Sequence, residues 1–355
     1  MVKPVIAGFG VATPETFEQS TLWNDFFTSH TTDVERAKKI FHNAGVDTRH
    51  GVVNPVTEDV SQWGTARRMA RYETESLALG EAALTESLDE AGIHARDLGL
   101  LSVVSCTGYV TPGLDITLAS RLGTATDTQR TVIGHMGCYA ALPGLAAAAD
   151  YVRAHHRPAA LLCVELTSLH LQPGPLDTEQ AVAHALFSDA AAAVILLPET
   201  SPASSGGLEL VDVVARTDTA HSNAMTWHIT DTGFRMGLSS RVPLVLARHL
   251  PDTVTALLNR HDLDIADIEG WAIHPGGRRI LDVAEKSLGL SADDLHASRE
   301  VLRRHGNCSS ATILMILREL ARPAAGAKRK ADAHEIVACA FGPGLTLYTA
   351  LLRRA

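Results

Sequence analysis

Three polar residues stand at the ends of apolar segments, where a protein can hold a reactive side chain. Cys138 lies in GHMGCYAALPGL, His274 ends the apolar run of WAIHPGG, and Asn307 stands in RRHGNCSSA, ahead of a helical pattern. A turn from a strand into a helix aims a side chain at the positive end of the helix dipole, which makes Cys138 a candidate nucleophile. A buried structural thiol is the alternative, because free cysteine is among the most buried residue types.

Activation of the Cys138 thiol would require a cationic neighbour. Lowering a thiol pKa from about 8.5 to about 6 takes about 3.4 kcal/mol. A helix terminus supplies about 0.3 to 2 kcal/mol, so a positive charge must provide the rest. His274 is the most plausible source, and Asn307 is a further candidate for the site. Taken singly, either could instead be structural, as a strand-end histidine or a loop or cap residue.

These segments resemble the type III polyketide synthases, the family of chalcone and stilbene synthases, and within it a bacterial member. The resemblance extends from about Asp33 to the C-terminus. The segments that carry it are GCYAALPGL, CVELTSL, ALFSDAAAAVIL, IHPGGRRILD, RHGNCSSATILMILREL and AFGPGLTLYTALL. In order and spacing, Cys138, His274 and Asn307 match the family's catalytic triad. The motifs HPGG and FGPGLT favour this family over ketoacyl synthase III.

The resemblance implies a decarboxylating Claisen condensation. The Cys138 thiolate, paired with an imidazolium at His274, would take an acyl group from an acyl-CoA starter. Malonyl-CoA, or a related extender, would then lose carbon dioxide, and His274 and Asn307 would stabilise the resulting enolate. Its attack on the Cys138 thioester would lengthen the chain toward a short polyketide, pyrone or resorcinol-type product. No cofactor and no metal are expected, because the CoA thioesters are substrates.

Three other functions remain open at this point. A ketoacyl synthase III-like enzyme would perform a single condensation or acyl transfer, with a carrier protein in place of CoA. A Cys-His-Asn hydrolase has a triad of similar composition. A dimeric binding or scaffold protein with an inactive site is the non-enzymatic alternative.

The family's substrate cavity maps onto residues that depart from the plant pattern. Phe187 matches the gatekeeper phenylalanine, whereas Met236 stands where the family has a second one, and Phe234 is a candidate substitute. The other cavity positions are His170, Trp227, Cys106 and Thr107. Trp227 aligns with a glycine of the plant enzymes. An indole in place of a hydrogen predicts a narrowed or redirected cavity.

The resemblance also implies a CoA-binding surface and a homodimer. Arg36 and Lys39 lie three residues apart, on one helical face, and match cations that hold CoA phosphates. Asn43 replaces a third family lysine, which weakens the patch. Arg279, after HPGG, is expected near the pantetheine mouth.

The elements that must position these residues alternate between helix and strand. Residues 73–93 show helical spacing, 98–108, 159–166 and 190–197 read as strands, and 242–261 predicts a helix broken at Pro251. The stretch PETSPASSGG is rich in proline, serine and glycine, which is typical of a boundary. It separates two similar halves, 1–203 with Cys138 and 204–355 with His274 and Asn307. The predicted class is α/β. The resemblance implies a thiolase fold, with two mixed five-stranded sheets in a layered αβαβα arrangement.

Composition limits the other function classes. The net charge of −9 argues against a nucleic-acid partner, and no stretch is apolar enough to predict a membrane span. The five scattered cysteines favour reduced thiols in the cytoplasm, and the histidines form no metal-binding spacing. Cys163 and Cys339 lie within apolar strands and are expected in the core, and Cys308 receives no role.

Overall fold

We describe the protein from a computed structural model, in which residues 2–172, 174–322 and 334–355 are described. The strands of this part of the chain are β1 (Pro4–Ala12), β2 (Glu15–Glu18), β3 (Thr48–Gly51), β4 (Leu100–Ser105), β5 (Gln129–Gly134), β6 (Ala159–Glu165), β7 (Ala190–Pro198), β8 (Leu208–Thr217), β9 (Met225–Thr230), β10 (Gly233–Leu238), β11 (Ile268–Ile273), β12 (Glu335–Gly342) and β13 (Thr346–Arg354). The α-helices are α1 (Gln19–Asp25), α2 (Val34–Asn43), α3 (Thr65–Ala91), α4 (Leu114–Leu122), α5 (Ala141–His155), α6 (Thr178–Leu186), α7 (Val242–Asn259), α8 (Arg278–Leu288), α9 (His296–His305) and α10 (Ala311–Ala321).

The main sheet joins strands from both halves of the chain. Its order is β11-β12-β13-β8-β1-β7-β6-β4-β5, with parallel pairs at β11/β12, β4/β6 and β4/β5 and antiparallel pairs elsewhere. The halves meet where β1 pairs with β8 through two residue pairs, Val5 with Glu209 and Ile6 with Leu208. The first half contributes five strands, as predicted. In the described residues the second half contributes four, because β9 and β10 pair only with each other as a separate ribbon.

Two helices form a central layer between the two parts of the sheet. Helix α5 contacts β4, β6 and β7 of the first half as well as β8 and β13 of the second, and α10 contacts β1, β6 and β7 as well as β11 and β12. Helices α3 and α4 cover the outer face of the first half, and α7 and α8 that of the second. Leu161 and Cys163 therefore face the central layer, whereas Leu162 and Val164 face α3. The predicted αβαβα layering is confirmed.

Several element boundaries differ from the predictions. Helix α3 begins at Thr65, eight residues before the predicted start, and ends at Ala91, where Gly92 caps it in the left-handed region. Helix α7 continues through Pro251 without the predicted break. Its neighbours explain this, because Leu250 and Val254 on either side of the proline are buried in the core and hold the helix together. The Gly-Pro-Gly turn is confirmed as Pro343–Leu345, between β12 and β13.

Candidate active site

The turn between β5 and α5 carries Cys138. Two glycines allow a second turn, between β12 and β13, to pack closely against it. Gly137 has φ +81°, and a Cβ atom there would lie 2.5 Å from Cδ of Pro343. A Cβ atom on Gly342 would lie 3.2 Å from the Cys138 amide nitrogen. Glycine is needed at both positions, since either side chain would push the two halves apart. The β12–β13 turn of the second half therefore packs directly against the cysteine of the first.

His274 follows β11 and reaches the same turn from the other side. Its backbone N–H donates to the carbonyl of Cys339 at 2.8 Å, and its ring meets the Phe341 ring edge-on with centroids 5.7 Å apart. The side chain is fully buried, and neither ring nitrogen has a hydrogen-bond partner among the described residues. Segment 339–343 thus contacts both His274 and the backbone of Cys138.

Asn307 is held by its backbone and joined to Cys138 by a serine. Its N–H donates to the carbonyl of Leu186 at 2.8 Å, and its carbonyl accepts from Ser188 N–H at 3.0 Å. The side-chain Oδ1 accepts from Ser309 N–H at 2.9 Å, which leaves the amide NH2 as the outward donor. The Ser309 hydroxyl in turn lies 3.5 Å from Cys138 Sγ. The structure therefore brings all three residues of the predicted triad to one region.

Burial opposes a resting ion pair between Cys138 and His274. It raises the pKa of the Cys138 thiol to about 12, only partly offset by the Ser309 hydrogen bond, and it lowers the pKa of His274 to about 3. Both shifts favour the neutral form, in the direction expected when a charge leaves water. Burial thus disfavours the expected thiolate–imidazolium pair in the unliganded protein, and the pair stays a prediction.

A narrow cavity of about 20 Å³ adjoins Cys138. It is lined by Cys106, Thr107, Gly137, Cys138, Thr167, Phe187, Trp227, Met236, Ser309 and Pro343. Five of the six predicted cavity residues are among them. Met236, where the family has its second gatekeeper phenylalanine, lines the wall. Phe234, the suggested substitute, does not.

His170 is the cavity residue that the structure places elsewhere. It lies behind the wall, where Nε2 is 2.6 Å from the carbonyl of Thr107 and Nδ1 accepts from Phe234 N–H at 3.0 Å. Its ring stacks on Phe234 with centroids 4.3 Å apart. Burial lowers the pKa of His170 to about 3, so the ring is a neutral brace. The prediction that His170 lines the cavity is wrong, because both ring nitrogens are hydrogen-bonded to backbone groups.

Trp227 forms the side wall from the β9–β10 ribbon. It pairs across the ribbon with Met236, and its indole N–H donates to the carbonyl of Cys106 at 2.7 Å. The ring stands edge-on to both His170 and Phe234. An anchored, large side chain on this wall agrees with the predicted narrowing.

The predicted CoA cations lie around two further cavities. Arg279 lines one of about 300 Å³, whose inner end reaches Phe341, the ring that contacts His274. Arg36 lines a neighbouring cavity of about 250 Å³, and the two share Ile40 and Thr178. Lys39 is exposed on α2 but lines neither cavity, which separates it from its predicted partner Arg36.

Three residues at or beside the site were not predicted from the sequence, namely Arg278, Ser309 and Glu165. Arg278 lines the larger cavity beside Arg279, and the doubled arginine after HPGG was a usable signal. Ser309 stands two residues after Asn307, and Ser310, at the cap position of α10, donates to Glu165. The Glu165 carboxylate also accepts from Cys106 N–H and from the Thr107 hydroxyl. An acid inside the apolar strand CVEL was the available signal.

The remaining cysteines are buried, and the described residues contain neither a metal-binding cluster nor a membrane-spanning helix. Cys163 and Cys339 are fully buried, which confirms their prediction as core residues, and the buried Cys308 thiol contacts the carbonyl of His305. Within residues 2–172, 174–322 and 334–355, no group of three or more His, Cys, Asp or Glu side chains could hold a metal ion. None of the described helices is both long and apolar enough to cross a membrane.

The fold is that of the thiolase-fold condensing enzymes. The descriptions "Chalcone and stilbene synthases, N-terminal domain" and "C-terminal domain" match residues 3–199 and 212–355. The chain belongs to this family and is a type III polyketide synthase, an acyltransferase that catalyses decarboxylative condensation.

Characterised relatives extend over most of the chain. The 1,3,6,8-tetrahydroxynaphthalene synthase of Streptomyces peucetius is 35% identical, covering 89% of this chain and 83% of its own. The α-pyrone synthesis polyketide synthase-like Pks18 of Mycobacterium tuberculosis is 31% identical, covering 88% and 81%. The crystal structure of PKS-I from the brown alga Ectocarpus siliculosus superposes with a TM-score of 0.91 at 29% identity, covering 100% and 99%.

Proposed function

We propose that Cys138 carries the growing acyl chain and that His274 and Asn307 act on the thioester carbonyls. The observation that carries this proposal is the His274 side chain, which is fully buried and whose ring nitrogens find no hydrogen-bond partner in the part of the chain that the structure describes. A buried polar group without a partner costs about 1 to 3 kcal/mol, so such a group is expected to have a ligand in the working enzyme. A substrate thioester beside Cys138 would supply that partner.

In the loading step, the proton must leave the thiol as the new bond forms. The Cys138 sulfur attacks the carbonyl carbon of an acyl-CoA, and its proton passes to a His274 ring nitrogen. The collapsing intermediate expels the CoA thiolate, which takes the proton back from His274 and leaves as free CoA. Both residues return to the neutral states that burial favours.

In the extension step, the developing charge lies on an oxygen. Malonyl-CoA enters with its thioester carbonyl toward His274 and Asn307, and its carboxylate leaves as carbon dioxide. The electron pair of the broken C–C bond forms an enolate, held by the N–H of a neutral His274 and the NH2 of Asn307. The enolate carbon then attacks the carbonyl carbon of the Cys138 thioester, the C–S bond breaks, and the extended chain remains on CoA. The released Cys138 thiolate takes up a proton from solvent and returns to the thiol. A low pKa at His274 suits this step, since a neutral imidazole keeps one N–H donor.

The substrates and products are proposed from the surroundings of the site. The cavity that runs from Arg279 to Phe341 supports entry of acyl-CoA and malonyl-CoA, with Arg36 and Arg278 near the phosphates and Lys39 outside it. The narrow space near Trp227 supports few extensions, and the names of the two relatives support a pyrone or a resorcinol-type product. The proposed chemistry uses no cofactor and no metal. A ketoacyl synthase III-like single condensation is the second candidate.

A homodimer is also part of this proposal. Strand β5 is the outermost strand of one end of the sheet in the described residues and leads directly to Cys138. Val132 on β5 is 57% exposed, and an exposed edge strand is a template for pairing with a second copy. We place the enzyme in the cytoplasm, where its five unpaired cysteines would stay reduced.

The test is the mass of the enzyme after mixing with hexanoyl-CoA. We expect one added acyl group on the unmodified enzyme and none on Cys138→Ala, whereas Cys106→Ser, which alters the neighbouring cavity thiol, should still be acylated. Adding malonyl-CoA should then give products extended by two-carbon units. Acylation of Cys138→Ala would overturn the proposal. A single extension, with a preference for a malonyl carrier protein over malonyl-CoA, would support the second candidate.

A further inference from the structure

Arg49 is a buried cation that is bound only to main-chain carbonyls. It lies on β3, is 6% exposed, and its Nη1 donates to the carbonyls of His184 and Phe187. The guanidinium carbon stands 5.3 Å from the centroid of Phe27 and 5.9 Å from that of Phe41. Burial lowers the pKa of Arg49 to about 10, so it remains charged at neutral pH. No carboxylate lies within ion-pair distance of it among the described residues, although the charge of the Asp189 carboxylate acts on it from further away, and its Nε–H has no partner there.

The two carbonyls that Arg49 binds belong to the end of α6 and to the segment after it. That segment contributes Phe187 to the lining of the Cys138 cavity, and Phe187 also lines a second cavity of about 40 Å³ that Arg49 borders. Phe187 therefore partitions two spaces. Its backbone position decides how far its ring projects toward Cys138.

The same segment carries Asn307. Leu186 and Ser188 pair with the Asn307 backbone on both sides of Phe187. Strand β3 joins this unit a second time, because His50 N–H donates to the Ser188 hydroxyl and Asp189 N–H donates to the His50 carbonyl. A displacement at Phe187 is thus transmitted to Asn307, whereas Cys138 is held separately by the β12–β13 turn.

Burial of a charged group at the Arg49 position is energetically unfavourable. A buried cation loses its hydration, which the charge of Asp189 offsets only in part at Arg49, and apolar side chains of similar volume often replace buried charged groups at no cost in stability. What an apolar side chain lacks is a directed N–H donor to the carbonyl of Phe187. The geometry points to Arg49 as a positioning residue that sets Phe187 and Asn307 for the malonyl-CoA step. This inference rests on the proposed function.

The test separates loading from decarboxylation. Arg49→Met should still accept one hexanoyl group on Cys138 at a rate within about twofold of the unmodified enzyme, because neither Cys138 nor His274 touches Arg49. Carbon dioxide release from carboxyl-labelled malonyl-CoA by the acylated enzyme should fall by about 10- to 100-fold, as expected for a donor displaced by about 1 Å. Arg49→Lys keeps a charge without the planar fork and should recover part of this loss.

Arg68 provides the matched control. It too is a buried arginine bound only to carbonyls, those of Val60, Trp63, Leu169 and Leu171, and none of these belongs to the Phe187 segment. Arg68→Lys should lower the melting temperature without separating the two rates. If Arg49→Met does not fold, Arg49→Lys and Phe27→Leu, which loosens the aromatic support, must show the same separation.

Two results would overturn the inference. One is an equal loss of loading and decarboxylation in the Arg49 variants, which would indicate a general structural role. The other is decarboxylation within about twofold of the unmodified enzyme. Failure of the proposed function is distinguishable, because it would appear as absent acylation of Cys138 in the unmodified enzyme.

Discussion

The two walls of the Cys138 cavity are built in different ways. The catalytic wall comes from the ends of main-sheet strands and the start of α10, where Gly137, Gly342 and Gly306 allow backbone to meet backbone. The opposite wall comes from the β9–β10 ribbon, which lies outside the main sheet and meets the cavity through the Trp227 and Met236 side chains. The first wall cannot change without moving the core, whereas the second can change one side chain at a time. Chemistry and substrate choice therefore have separate structural supports.

The largest loss of product formation is expected when the His274 side chain is removed from the catalytic wall. In the proposed mechanism, His274→Ala removes both the proton acceptor for loading and one of the two donors to the enolate. Loss of one such donor costs about 10²- to 10³-fold in rate. We therefore expect product formation to fall by at least that factor, measured as steady-state turnover with hexanoyl-CoA and malonyl-CoA.

Asn307→Ala sharpens this prediction, because the proposed mechanism gives Asn307 a role only in extension. It should reduce carbon dioxide release by a similar factor while the acylated enzyme still forms. Equal loss of loading in the Asn307 and His274 variants would contradict the separate roles given to them.

The protonation state of the catalytic wall gives the next largest effect. Because burial raises the pKa of Cys138 to about 12, the thiolate fraction should rise about tenfold per pH unit throughout the neutral range. Iodoacetamide inactivation of the unliganded enzyme should therefore quicken about 100-fold between pH 6 and pH 8, without a plateau. Protonation of His274, with its pKa lowered to about 3, plays no part at these pH values.

Cys138→Ala is the control for this measurement, since labelling at other thiols must be subtracted. A rate that levels off below pH 7 would mean that a stable thiolate–imidazolium pair exists after all. That outcome would restore the ion pair expected from the sequence and would require a water or a shift of His274 to solvate it.

The two walls also differ in how far sequence could predict them. Cys138, His274 and Asn307 are marked by local signals, namely a glycine or a strand end next to a polar residue, and such signals survive in a single sequence. The place of His170 depends on partners at Thr107 and Phe234, far from it in the chain, and no local pattern reports them. The same holds for Pro251, where burial of α7 overrides a local helix breaker. The four-stranded second half follows from β9 and β10 pairing with each other.

The smallest effect is expected at the ribbon wall. Trp227→Gly removes the indole beside Cys138 and its hydrogen bond to Cys106 while leaving the catalytic residues in place. Discrimination by one methylene in a pocket amounts to about 1 to 3 kcal/mol, so opening this wall should admit bulkier starters or further extensions. We expect the mass spectrum of products to shift toward longer chains, with turnover changed by less than about tenfold.

Trp227→Phe separates volume from anchoring in this experiment. It keeps most of the ring but cannot donate to the Cys106 carbonyl, so a product shift as large as that of Trp227→Gly would assign the effect to the lost hydrogen bond. An unchanged product pattern in both variants would show that the ribbon does not limit the chain. The division between a fixed catalytic wall and an adjustable ribbon wall holds only if product length follows Trp227 while carbon dioxide release follows Asn307.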